Sequence, residues 1–210
     1  ALAIAAGSVL ILTAQALLYK LAEVTAIIKP QTQPGVVLYP VEINLGTLGL
    51  GQGFSAYKYT TLILGPTGVG GNYTINLVIA IPADTNEWYE MVSGFQNLSL
   101  YVCIAPSGAS NWLCTYNIPV VINGQSAINP GGDSQWWHFM YQQGTYAYYR
   151  ADDYYSSRGF IWSLGPGNYE VFVAVNGMTA YQLMIYPPPS QIDFDINLYL
   201  YITPPAQIMG

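Results

Sequence analysis

The chain has 210 residues, of which 52% are hydrophobic, 14% aromatic and only 8% charged, and its net charge is −6. An ordinary soluble domain carries about 25% charged residues, so this surface must be wetted by amides, hydroxyls and the phenols of 19 tyrosines. The bases Lys20, Lys29, Lys58, Arg150 and Arg158 are too scattered to neutralise several phosphates, which argues against a nucleic-acid partner; a charge-poor surface favours association with its own kind.

In chain order, the first feature is a run without any charge, ALAIAAGSVLILTAQALLY, residues 1–19. As a helix it would be about 28 Å long, close to the roughly 30 Å hydrocarbon core of a bilayer. It is apolar all round, so such a helix would be buried in lipid or among copies of itself. Ala14–Glu23 is rich in helix formers, whereas Gly7 and the β-branched Val9 and Ile11 weaken the helix upstream. Three roles compete: an uncleaved signal peptide, a membrane anchor, and an assembly element that waits in the membrane before burying itself in a polymer. Signal peptides usually begin with a basic residue, absent here. The small residues Ala1, Ala3, Ala5, Ala6 and Gly7 would allow close packing between helices. The chain opens on Ala1 rather than Met, which leads us to expect a processed mature form. The assembly role is the favoured one, with Leu2, Ile4, Gly7, Val9, Leu10, Ile11, Leu12, Leu17 and Leu18 as the polymerisation segment.

Residues 1–29 thus form a hydrophobic assembly segment, 30–35 a linker, and 36–210 one β domain. Short β-branched and aromatic runs follow at 36–45, 54–64, 73–81, 98–104, 113–122, 160–164, 169–175, 179–186 and 192–202, most bounded by Gly, Pro or Asn. That rhythm predicts an antiparallel immunoglobulin-like or jelly-roll sandwich. Alternation is clearest in Ile192-Asp-Phe194-Asp-Ile196, and Val171 to Val175 suggests a strand covered on both faces. Asn176-Gly177 signals a hairpin turn between two such runs. Asp84, Glu87 and Glu90 mark a solvated loop or a single helical turn, and no stronger helix is expected after residue 36.

Cys103 and Cys114 flank a Pro-Ser-Gly-Ala-Ser turn at a spacing that would let a disulfide staple a hairpin; two free buried thiols are the alternative. Asn72-Tyr-Thr74 and Asn97-Leu-Ser99 are candidate N-glycosylation sites. Catalytic chemistry is not expected. The one histidine, His138, lies in the aromatic run Gln135-Trp-Trp-His-Phe-Met-Tyr and suits a partly buried core or rim position better than a general base. One His and two Cys build no usual zinc site. Asp152 with Asp153 and Asp193 with Asp195 suit solvated faces better than a calcium site. No cofactor is implied. The aromatics Trp136, Trp137, Tyr146, Tyr148 and Tyr149 could line either a sugar site or a protein interface, and interface is favoured.

The stretch ALAIAAGSVLILTAQALLYKLAEVTAII, residues 1–28, ahead of a β domain resembles archaeal type IV pilins, which imply an N-terminal helix, an immunoglobulin-like domain and a helical homopolymer. Bacterial pilins carry Glu at the fifth mature position, where this chain has Ala5, so the resemblance is to the archaeal kind. Ala5–Thr13 and Gly46–Phe54 are also similar to segments of the TasA/camelysin-type fibre sandwiches and related archaeal bundling pili. That second resemblance implies that the N-terminal strand of one subunit completes the sheet of the next. The small-bulky alternation of Ala1-Leu2-Ala3-Ile4-Ala5 suits a donated strand. The expectation is therefore a non-enzymatic, extracellular pilus subunit for adhesion or biofilm contact. Its partner would be itself, with a transient membrane stage and glycans as further contacts. A helical core is favoured and donor-strand assembly is the alternative; a membrane-tethered, sugar-binding surface domain is a third reading.

Overall fold

The computed structural model describes residues 23–24, 35–39, 41–43, 45–46, 48–66, 70–152, 161–182 and 197–203. The polymerisation segment, residues 1–19, lies outside them, as do Asp153, Asp193 and Asp195. The strands are β1 (Glu23–Val24), β2 (Val36–Leu38), β3 (Val41–Glu42), β4 (Gly53–Leu64), β5 (Tyr73–Pro82), β6 (Phe95–Pro106), β7 (Leu113–Cys114) and β8 (Ile118–Ile122). They continue with β9 (Gln125–Ser126), β10 (Trp137–Gln143), β11 (Tyr146–Ala151), β12 (Ile161–Leu164), β13 (Gly167–Thr179) and β14 (Asn197–Thr203). One helix, α1 (Thr85–Val92), interrupts them.

The fold is mainly β, and its antiparallel sheets form a sandwich-like arrangement, as the turn-punctuated runs predict. A seven-stranded sheet has the order β2-β4-β13-β6-β8-β9, with β7 also on β6; a five-stranded sheet has β10-β11-β5-β12, with β14 also on β5. The two inner faces meet in one core. Leu62, Leu98, Leu100, Val102, Val171 and Val175 come from the first sheet, and Ile75, Leu77, Ile79, Ile81, Leu198 and Leu200 from the second. Burying each of these aliphatic side chains contributes about 1.5–3 kcal/mol. The period-2 pattern creates this core, since every second residue of β6 from Leu98 to Ile104 is buried there.

Four expectations need correction. Asn176-Gly177 makes no turn, because β13 runs unbroken through it, with Gly177 opposite Phe54 on one side and Leu98 on the other. A Cβ at Gly177 would stand 2.3 Å from the Asn97 carbonyl oxygen and 2.7 Å from the Phe54 ring. The glycine thus serves close approach of neighbouring chains beside the register shift between Met178 and Thr179. The acidic stretch is an eight-residue helix rather than a loop or single turn. Asp84 caps it by accepting from Asn86 N at 2.8 Å and Glu87 N at 3.2 Å. Trp88, Met91 and Val92, spaced three and four apart, anchor it in the core. Thirdly, the aromatic run from Trp137 to Ala151 contains no expected strand, yet it forms the β10–β11 hairpin. Fourthly, the helix-forming stretch Ala14–Glu23 is not helical at its described end, where Glu23–Val24 is strand β1, paired with Val41–Glu42.

Candidate functional site

His138, Asp133, Arg150 and Asp152 hold structural contacts. His138 Nδ1 lies 3.0 Å from Asp133 Oδ2 on a solvent-exposed rim. The other carboxylate oxygen of Asp133 accepts from Phe139 N at 2.9 Å, so this pair ties the preceding loop to β10. Arg150 Nη2 donates to Asp152 Oδ1 at 3.1 Å. Among the described residues there is no group of three or more His, Cys, Asp or Glu that could hold a metal.

Cys103 and Cys114 are disulfide-bonded, with Cα atoms 4.0 Å apart, and oppose each other in the β6–β7 ladder. The staple thus closes the hairpin that the spacing suggested. Both sequon asparagines are exposed. Asn72 Nδ2 donates to Ser163 Oγ at 3.1 Å, and Asn97 Oδ1 accepts from Asn123 N at 3.0 Å.

The five candidate interface aromatics divide. Trp137 and Tyr149 are fully buried, which removes both from any surface. Their polar tips are satisfied inside: Trp137 Nε1 donates to the Pro119 carbonyl at 2.7 Å, and the Tyr149 hydroxyl accepts from Gly131 N at 2.7 Å. Burial pushes the Tyr149 hydroxyl above its ordinary pKa, partly offset by that bond to Gly131. Strand alternation explains the split, since Tyr149 faces inward between the outward Tyr148 and Arg150. Trp136 is half-buried against Tyr116, at 5.5 Å between rings. Tyr146 and Tyr148 remain on the outer face of the five-stranded sheet. There Tyr148 stacks on Tyr141 at 4.7 Å and meets Tyr199 at 5.9 Å. Burial foremost, and then the neighbouring Tyr148, Tyr146 and Tyr141, push the Tyr199 hydroxyl up to about 12. This hydroxyl stays protonated near neutral pH and offers a donor rather than a charge.

The seven-stranded sheet carries a second aromatic face that the composition did not reveal. Phe172 of β13 lies 5.1 Å from Tyr59, 5.5 Å from Tyr57 and 6.1 Å from Tyr101, and Tyr59 reaches Trp112 at 6.3 Å. These rings come from separate runs and meet only through register, with Phe172 opposite Tyr59 and Ala174 opposite both Tyr57 and Tyr101. The usable signal was the alternation Ser55-Ala-Tyr57-Lys-Tyr59, whose odd positions share one face.

The strand carrying Tyr57 and Tyr59 is only partly paired on the side away from β13 by the described residues, although β3 lies near it. β2 pairs with β4 only from Leu62 to Leu64, and Tyr39 extends the contact by donating from its backbone N to the Thr61 carbonyl at 3.2 Å. Among the described residues, no strand pairs with Gly53–Tyr59 on the side away from β13. That stretch spans about 23 Å at strand rise. An unpaired edge of this length is a template for another strand, and the exposed Lys58 is the kind of charge that limits indiscriminate pairing. No family model matches the chain, and no curated protein matches it as a relative.

Proposed function

We propose that this protein is a structural subunit of an extracellular filament, polymerising through its uncharged N-terminal segment. The observation that carries the reading is a pairing of opposites within one chain: a charge-free run over residues 1–19 and a β4 edge over Gly53–Tyr59 that no described strand pairs with. An apolar strand from one copy, laid along that edge in the next, would satisfy the open backbone groups and cover the exposed flank of the sheet. Between the two modes of assembly, strand donation has the better support. Glu23–Val24, the described part of the 1–29 segment, is extended and paired with Val41–Glu42 rather than helical. The disulfide suits an oxidising, extracellular setting.

The test is electron microscopy of the full chain beside a version lacking residues 1–19. The full chain should form filaments and the truncated one none. Normal filaments from the truncated protein would overturn the proposal. A filament map then separates the modes: a strand crossing onto β4 of the neighbour supports donation, whereas a core of parallel helices supports the helical pilin arrangement.

A further inference from the structure

A cleft of about 520 Å³ opens beside the turn after β8, where the start of β6 and the segment after β13 converge. Its volume falls in the roughly 300–1,000 Å³ range of small-molecule sites. The frame is fixed by backbone bonds between segments distant in sequence. Gly124 N donates to the Gln96 carbonyl at 2.8 Å, Ala180 N to the Gly94 carbonyl at 2.8 Å, and Gly51 N to the Ala180 carbonyl at 2.9 Å. A rigid frame limits the entropy lost when a ligand enters.

The chemistry of the lining is specific. Four carboxamides border the cleft, Gln96, Asn123, Gln125 and Gln182, together with Ser93, Phe95 and the ring of Tyr181, and no charged side chain among the described residues does. Tyr181 is 67% exposed, a high value for an aromatic ring. It is nonetheless positioned: the ring rests against the backbone at Gly51, and its hydroxyl donates to Met178 Sδ at 3.5 Å. A carboxamide offers a carbonyl acceptor and two N–H donors on one planar group. Neighbouring hydroxyls of a sugar ring, each both donor and acceptor, match that group. The flat tyrosine face matches the C–H face of the same ring. An anion or cation would find no counter-charge among the described lining residues, and a purely apolar ligand would desolvate the amides without replacing their hydrogen bonds.

We propose that this cleft binds neutral carbohydrate, with Tyr181 stacking on a pyranose ring and the amides of Gln96, Asn123 and Gln125 meeting its hydroxyls. The proposal does not depend on the filament reading, since no residue lining the cleft belongs to β4. The experiment titrates the full-length chain with maltose, cellobiose, mannobiose and diacetylchitobiose, followed by saturation-transfer NMR and calorimetry. At least one disaccharide should bind saturably. Tyr181→Ala should weaken that binding by about tenfold, the scale of one lost stacking contact. Tyr181→Phe should retain it, and Gln125→Ala should weaken it, with thermal unfolding unchanged in all three. Failure of all four sugars to bind, or binding unchanged in Tyr181→Ala, would overturn the proposal whether or not the protein forms filaments.

Discussion

The dipeptide Asn-Gly occurs at Asn123-Gly124 and again at Asn176-Gly177, with opposite outcomes. At the first, β8 and β9 pair directly across it, Ile122 opposite Gln125, and both turn residues have positive φ, 51° and 75°. That is the tight hairpin the dipeptide favours. At the second, the chain stays extended within β13, the longest strand among the described residues. The local preference is the same in both places, so the surroundings decide. Asn123-Gly124 sits at the edge of the seven-stranded sheet, where the chain must reverse. Asn176-Gly177 lies between β4 and β6, and an extended conformation there completes ladders on both sides. Several inter-strand hydrogen bonds at about 1 kcal/mol each outweigh a turn preference of comparable size to one of them. In β13 the glycine serves steric approach, and in the turn it serves backbone conformation.

That contrast predicts how each site breaks. Gly177→Ala should cost the most, about 3 kcal/mol in denaturant unfolding. The Phe54 ring could rotate away, but the Asn97 carbonyl belongs to a paired strand and cannot. A loss below about 0.5 kcal/mol, within the range of surface substitutions, would show that β13 is not closed at this point. Next comes the β6–β7 hairpin, which is closed by covalent chemistry instead of Asn-Gly. Reducing Cys103–Cys114 should cost about 2–3 kcal/mol for a loop of this length, read as a drop in the urea midpoint. Gly124→Ala should cost about 1 kcal/mol, because only a left-handed conformation is being imposed on alanine. Smallest is Asn123→Gly, within about 0.5 kcal/mol of the parent because glycine accepts positive φ without steric strain. If Gly124→Ala proved costlier than Gly177→Ala, the assignment of steric and conformational roles would be reversed.

Much of the sandwich was legible because its cause is local. Runs such as Phe54–Leu64 and Tyr73–Ile81 match β4 and β5 within a residue, and the alternation of Leu98, Leu100 and Val102 marks the inward face of β6. The hairpin closed by Cys103 and Cys114 was legible for the same reason, since loop length and turn residues were both on view. The Trp137–Ala151 hairpin was not, because dense aromatics on both faces hide the period-2 pattern that distinguishes Trp137 and Tyr149 from their outward neighbours. The cleft beside Tyr181 was equally hidden. Its amides come from three stretches, around residues 96, 123 and 181, that no local pattern relates.

The sequence by itself determined that the protein is a mainly β, charge-poor chain with a hairpin suited to a disulfide and an uncharged first 19 residues. Those properties are sums or short-range patterns, and each is present in the chain before it folds. Only the tertiary structure decided which tyrosines are core and which are surface, that Asn176-Gly177 stays extended, and that no described strand pairs with Gly53–Tyr59 of β4 on the side away from β13. Each depends on register between strands far apart in sequence, where a one-residue slip would exchange the inner and outer faces.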